Sequence, residues 1–452
     1  MAISESSLLR GDRHVSAPDR GPQRQRGRCR RAGPAHGPRV GRDGRCRPRR
    51  PRHRRRRAGR RRSGPAIHPR PPPGRPQPPG RGPGEKGGSG WACPCGGARR
   101  HRGRAERRLL TAAGEVTLRR VYFTCRACGA HAHALDERLG VHGLLTPNAQ
   151  RLLCLVGVDQ SFEKAARKLR DLAGLVVCDN TVRKACDAHG GLARAWQRDD
   201  PEAARAFAEA KGDVEFQTDG TSVNTTGGWR EIRLSIFAKR GRGEPTTDPD
   251  NWPGERLPSP TARFAAAGIR TGEALGPQWR RMAARLGIKQ TSSITTLADG
   301  ARWIWNQAGR SLPGCEGVLD FYHLVEHVSA AAAGLHGEGT AGAEEWSGRV
   351  RRDLLRSGGA ATLAGLVAGP DRVDELVAYL GPHAGHTDYP RRLREGRSIG
   401  SGMVEGSCKT AIGLRLKQTG ARWRVRRVER MASLCCLDYS DLWDAYWKKA
   451  TA

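Results

Sequence analysis

The chain has 452 residues and carries 80 lysines and arginines against 45 aspartates and glutamates, a formal net charge of +35. Such an excess favours polyanions, because each phosphate neutralised releases condensed counterions, so double-stranded DNA is the first expected partner. No apolar run reaches the roughly 18–20 residues of a membrane-spanning helix, residues 1–10 lack the apolar core and cleavage site of a signal peptide, and 13 mostly scattered cysteines do not make a secreted disulfide framework. A cytoplasmic, nucleoid-associated protein with reduced thiols is expected.

Residues 1–90 are dominated by Arg, Pro and Gly, as in Arg47-Pro48-Arg49-Arg50-Pro51 and Arg54-Arg55-Arg56-Arg57. They hold about 26 basic and about 5 acidic residues. Without apolar periodicity this stretch cannot bury enough surface to offset its ordering entropy. Two readings stay open for it: a disordered DNA-binding arm, or GC-rich DNA read from a false start or a shifted frame.

Residues 91–139 read as a zinc-ribbon-like module. Cys93-Pro94-Cys95-Gly96 and Cys125-Arg126-Ala127-Cys128-Gly129 are two thiol pairs, each followed by Gly, and between them Glu115–Phe123 alternates as a strand does. Four thiolates suit a structural Zn²⁺ and leave no open position for chemistry. The first pair, C-x-C, is one residue short of the usual knuckle. Residues 140–200 read as a helical helix-turn-helix region. Ser161 is placed as an N-cap, with Lys164 where a full capping box wants Glu or Gln. After Gly174 a second helix opens at Cys178-Asp179-Asn180-Thr181-Val182-Arg183-Lys184, and such a helix enters the major groove. Asn180, Thr181, Arg183 and Lys184 are its expected DNA-facing residues.

An α/β core is expected over residues 210–335 and 395–425. Strands Asp213–Asp219 and Trp229–Ala238 form a hairpin, with Asp219 closing the first before an Asp-Gly turn. A third apolar strand, Ser293–Leu297, stops at Asp299-Gly300, and the next helix carries Trp303 and Trp305, read as core residues. Strand Gly317–Asp320 leads into helix Tyr322–Leu335, which puts His323 in its first turn and His327 on the same face. Residues 336–394 form a helical insertion. Helices over Met403–Leu416 and Val425–Trp443 follow, residues 426–452 being the C-terminal helical segment.

A carboxylate ending a buried strand is costly unless it is solvated, paired or bound to metal. Asp219 and Asp299 both occupy such positions, and on neighbouring strands their repulsion is relieved by a divalent cation. Glu405, in Ile399-Gly400-Ser401-Gly402-Met403-Val404-Glu405-Gly406, supplies a third carboxylate beside Lys409, Arg415, Lys417 and Arg422, which are expected to contact DNA. Three carboxylates around two Mg²⁺ (or Mn²⁺) ions suit in-line phosphoryl displacement.

The segments Thr218-Asp219-Gly220, Ala298-Asp299-Gly300, Leu319-Asp320-Phe321-Tyr322-His323-Leu324 and Gly400–Gly406, with the continuation through Lys409 to Trp423, resemble those of bacterial DDE insertion-sequence transposases of the ISKra type, related to Mutator-like elements. The resemblance runs from about Cys93 to the C-terminus. It implies a ribonuclease-H-like mixed sheet with a helical insertion, which accommodates the 106 residues between Asp299 and Glu405. It also implies Asp219, Asp299 and Glu405 as the catalytic, metal-binding triad, with Asp320 and His323 as the D-x-x-H signature. The implied activity is Mg²⁺-dependent DNA cleavage and strand transfer by a homo-oligomer on DNA. Two other readings remain: a ribonuclease-H-like nuclease without strand transfer, and a zinc-ribbon and helix-turn-helix DNA-binding protein with a vestigial core.

Overall fold

A computed structural model describes residues 93–451, apart from 140, 142, 251, 253, 255–256, 290–293 and 313. The chain divides into two units, Met1–Gly84 and Glu85–Ala452, and every element named below belongs to the second. The Arg/Pro/Gly-rich segment lies outside the described residues.

Strands β1 (Arg99–Thr111) and β2 (Gly114–Cys125) form a long antiparallel hairpin, with the short β3 (His131–Ala132) beside β2. Along β1 exposed residues alternate with more sheltered ones from Arg102 to Leu109, as in a ribbon sheltered on one side. Helix α1 (Ala134–Arg138) follows, its Asp136 paired with Arg107 and Arg120.

Three helices come next. In α2 (Pro147–Asp159) the Thr146 hydroxyl accepts from the N–H of Ala149, and in α3 (Phe162–Ala173) the Ser161 hydroxyl accepts from that of Lys164 at 3.3 Å. Gly174 ends α3 at φ +65°, a left-handed conformation that glycine adopts without side-chain strain, and Leu175 N–H then closes back on Leu169 C=O at 3.1 Å. The long α4 (Asp179–Asp199) crosses the other two, burying Val182, Ala185, Cys186 and His189, and α5 (Glu202–Glu209) leads into the sheet.

The main sheet contains β4 (Asp213–Thr225), β5 (Gly228–Arg240), β6 (Ala262–Gly268), β7 (Ile294–Ala298) and β8 (Glu316–Leu319), in the order β6-β5-β4-β7-β8. The first three pair antiparallel; β7 runs parallel to β4, and β8 parallel to β7. Parallel neighbours need crossovers, provided by α6 (Gly272–Arg285) and α7 (Arg302–Ser311). All five residues of β7 are buried, as are Glu215–Thr218 in a row on β4, because both faces of the central strands are covered. The turn expected after Asp219 is absent. β4 runs on to Thr225 with Asp219 opposite Leu234, and the hairpin turns at Thr225–Gly228. Cross-strand pairing along the whole of β5 outweighs the local turn preference of Asp-Gly.

After β8 come α8 (Phe321–His336), α9 (Ala341–Ala368, bent at Gly358), α10 (Asp374–Leu380), a 3₁₀ turn over Gly381–His386, and α11 (Tyr389–Arg394). The chain then returns to the sheet with α12 (Gly402–Ser407), a wide π-type turn (Cys408–Gly413), α13 (Leu414–Leu416), α14 (Val425–Tyr439) and α15 (Trp443–Thr451). The stretch expected as one helix over Met403–Leu416 is thus interrupted. One core, including Phe216, Ile236, Trp279 and Leu434, joins the sheet to the N-terminal helices and α14. A second, with Leu297, Leu319, Phe321, Trp346 and Tyr389, seats the inserted helices beside β7 and β8. Among the described residues no helix is long and apolar enough to cross a membrane.

Candidate active site

The parallel register sets the first two acids. Gln217 pairs with Leu297, so two residues further along each strand Asp219 comes level with Asp299. Both are half-buried. Asp219 Oδ1 accepts the N–H of Gly220 at 2.6 Å, and Asp299 Oδ1 accepts that of Ala301 at 3.0 Å. Burial pushes the Asp219 carboxyl above the usual range; Gly220 opposes that rise and the charge of Asp299 adds to it. Burial and the Asp219 charge together push the Cys408 thiol, hydrogen-bonded to Asp219, up to about 12.

The third acid arrives with α12. The buried Gln217 side chain accepts the Val404 N–H at 3.0 Å, docking the first turn of α12 on β4. The Ser401 hydroxyl lies between Glu405 Oε1 at 3.0 Å and Asp320 Oδ2 at 2.6 Å. Glu405 is also raised, by burial first and then by the charges of Asp320 and Asp219, with Ser401 and Lys409 opposing. The three carboxylates therefore share one electrostatic neighbourhood. They are more widely spaced than a closed metal cage: among the described residues, only the four paired cysteines bring their ligand atoms within 4.8 Å of one another.

Neither a protein-family model nor a curated protein matches this chain.

Asp320 and His323 stand at the start of α8. Asp320 is fully buried, and both of its oxygens are engaged. Oδ1 accepts the N–H of His323 at 2.7 Å as the N-cap of α8, while Oδ2 takes the backbone and hydroxyl of Ser401. The Ser401 hydroxyl thus links Asp320 to Glu405. His323 is half-buried, and its Nδ1 lies 3.1 Å from Glu326. The His327 ring stacks on Tyr379, with centroids 3.7 Å apart.

The inserted helices grip the loop that carries Asp299. The Tyr379 hydroxyl accepts the Gly300 N–H at 3.1 Å, and His383 Nε2 donates to the Gly300 carbonyl at 3.2 Å. A Cβ on Gly300 would lie 2.5 Å from the Tyr379 ring, so this glycine permits close approach. Trp305 is half-buried and packs against the second core as expected, and it also donates from Nε1 to the Asp299 carbonyl at 2.8 Å and stacks on His386. Trp303 likewise packs, half-buried, against the first core, under the Arg233 guanidinium. Nothing in the sequence singled out Tyr379 or His383, since their contacts with Gly300 span about eighty residues. Ser401 at least lay inside a marked motif.

Asn180 and Lys184 are exposed at the start of α4, while Thr181 and Arg183 are half-buried, with Arg183 Nε held on Asn180 Oδ1 at 3.0 Å. Lys409, Lys417 and Arg422 are exposed, and Lys417 Nζ reaches Thr221 Oγ1, two residues past Asp219, at 2.8 Å. Arg415 is not the surface contact expected. It is 3% exposed, lies between the rings of Phe162 and Trp423, and donates from Nε to Gly157 C=O at 2.6 Å. It braces α13 against α2 and α3.

At the far end of the ribbon all four cysteines converge. Cys93 Sγ lies 3.6 Å from Cys128 Sγ, and Cys95 Sγ lies 3.5 Å from Cys125 Sγ. A tetrahedral ion with Zn–S bonds of ~2.3 Å needs edges of ~3.8 Å, so the cluster fits a metal such as zinc. Gly96 and Gly129, at φ +79° and +70°, turn each loop. Backbone N–H groups of Cys128 and Ala127 aim at Cys125 and help lower its thiol to about 6. The short C-x-C spacing is no obstacle, because Gly96 N–H closes directly on Cys93 C=O at 2.8 Å.

Proposed function

We propose that the chain is a DNA transposase whose mixed sheet is ribonuclease-H-like, and that Asp219, Asp299 and Glu405 form its catalytic centre for Mg²⁺-dependent strand cleavage and strand transfer. The sheet order supports the fold: three antiparallel strands, then two parallel ones reached through helices, with an inserted helical block before the last acid. One observation carries the activity. Three acids from distant segments meet where, among the described residues, no Lys or Arg forms an ion pair with them, and Asp219 and Glu405 are pushed up by burial and by neighbouring negative charge.

Carboxylate oxygens are hard donors and fit Mg²⁺ or Mn²⁺. Two such ions would activate the attacking oxygen and stabilise the leaving oxygen of a phosphodiester. The residues of the chain do the rest. Gly220 and Ala301 N–H groups orient Asp219 and Asp299, Ser401 orients Glu405, and Lys409 and Lys417 draw phosphates toward the acids. The free face of α4 suits a DNA groove, and a homo-oligomer on the paired ends completes the proposal.

The test uses the full chain, Mg²⁺ and plasmid DNA carrying the sequences that flank its gene. Cleavage that exposes 3′-hydroxyl ends, followed by their joining to target DNA, is expected. Asp219→Asn, Asp299→Asn and Glu405→Gln should each lower cleavage by about 10²–10³-fold or more with DNA binding kept. Cleavage without joining makes the chain a nuclease; binding without cleavage leaves it a DNA-binding protein.

A further inference from the structure

A cavity of about 460 Å³ opens between the helix-turn-helix and the sheet domain, and its walls are basic. Arg183 enters it from α4, while Arg422, Arg424 and Arg427 come from the segment that ends in the first turn of α14. Among the described residues no carboxylate lines the cavity or pairs with these four arginines. Arg183 has only the neutral Asn180 side chain, and Arg422 only the Thr226 carbonyl at 3.5 Å. The contrast along the same helix is sharp: Glu429 is paired with Arg194 and Arg270, and Arg430 with Asp187.

The first turn of α14 has the wrong charge for an isolated helix. A helix N-terminus presents unsatisfied N–H groups and a partial positive charge, and it favours acids. Here the cap is Arg424, no side chain closes the turn, no acid lies in it, and Arg426 and Arg427 follow. A second, independent feature faces the same space. Arg415 lines the cavity although only 3% exposed, and its Nη2 is buried without a hydrogen-bond partner. A buried guanidinium left partly unpaired is costly until an anion comes near.

We propose that this cavity is a dedicated site for a backbone phosphate of bound nucleic acid, read by the α14 N-terminus and Arg183, Arg422, Arg424 and Arg427 over the buried Arg415. It rests on the DNA-binding part of the proposed function. It adds that one phosphate is gripped at once by α4 and by the segment leading into α14. The loop that frames it is rigid: Trp423 N–H donates to Asn224 C=O at 3.0 Å, and Thr226 N–H donates to Trp423 C=O at 2.7 Å. The same loop carries Lys417, tied beside Asp219, so a phosphate held here fixes the strand relative to the acids.

Arg424→Ala/Arg427→Ala in the full chain tests this, against Arg351→Ala/Arg352→Ala, an exposed pair on α9 that removes equal charge. Binding to a random-sequence duplex of about 20 base pairs is followed as salt is raised, and melting is followed with inorganic phosphate added. The cavity variant should weaken duplex binding at least tenfold and make the salt slope shallower by about two. It should also lose a phosphate-induced rise in melting temperature that the α9 variant keeps. Equal behaviour of the two variants would overturn the site. Loss of the phosphate effect with duplex binding unchanged would make it a free-anion site and overturn the backbone assignment. Should the unaltered chain bind no duplex, the DNA reading itself fails, and the phosphate arm alone then decides whether the cavity takes any anion. Arg424→Gln/Arg427→Gln serves if the alanine variant misfolds.

Discussion

In the proposed function, Asp219 pits catalysis against stability at a single side chain. Burial raises its carboxyl in the folded protein, so as pH rises the native state gives up this proton later than the unfolded chain does. The sign follows: native stability from this group is present at low pH and is lost as pH rises from the ordinary carboxylate range through the raised value. Asp219→Asn removes that loss. The metal-free variant should therefore melt higher than the parent at neutral pH, while cleavage disappears. Added Mg²⁺ should raise the melting temperature of the parent and leave that of the variant nearly unchanged. A variant that melts lower than its parent would mean that Asp219 is a structural hydrogen-bond acceptor and not a restrained ligand. Asp320 should behave in the opposite way. Its oxygens cap α8 and hold Ser401, so Asp320→Ala should destabilise outright, by about 1–3 kcal/mol for the buried groups left without a partner.

Among the elements, the inserted helices do more than fill space. Tyr379 and His383 hold both backbone polar groups of Gly300, and Trp305 holds the Asp299 carbonyl. Tyr379→Phe deletes one acceptor and should loosen the loop without unfolding the insertion. The expected result is a melting temperature within a few degrees of the parent and a Mg²⁺ half-saturation for cleavage raised about five- to tenfold, the equivalent of about 1 kcal/mol. An unchanged Mg²⁺ curve would show that the grip has no bearing on Asp299. The C-terminal helix has its own latch. His189 on α4 is buried, with Nδ1 accepting from Tyr446 at 2.8 Å and Nε2 donating to Gln150 at 2.8 Å, and burial lowers its pKa to about 4. The unfolded chain takes up this proton near pH 6.5 and the native state does not. Stability contributed here is thus full above about pH 6.5 and declines as pH falls toward 4, by up to about 3 kcal/mol. Urea midpoints at several pH values should show that decline, and His189→Gln should flatten it; identical slopes would count against the latch.

For the whole molecule, charge and metal act on different parts. The ribbon has little core of its own, since most of its residues are exposed or half-buried, and four thiols at one end stand in for packing. Purified protein should contain close to one zinc per chain. Cys128→Ser should lose it and unravel the ribbon, leaving the melting of the main sheet within a few degrees of the parent. Metal-free protein with the ribbon intact by hydrogen exchange would show that the thiols need no ion.

Read alone, the residues determined a good deal: the thiol pairs, the Ser161 cap, the two-helix motif, most strands of the sheet and the three acids, all written in local pattern and composition. What they could not decide were the outcomes of pairing at a distance. Asp-Gly at 219–220 has the local chemistry of a turn, yet β5 supplies partners along the whole of β4 and keeps it extended. Arg415 belongs to a basic run, yet Phe162 and Trp423 close over it. Asp320 sits in a motif with His323, yet Ser401 arrives from 81 residues away to engage it. Tyr379 and His383 carry no local mark at all. In each case the deciding partner comes from another element, and neither periodicity nor propensity registers a contact until the chain has closed on itself.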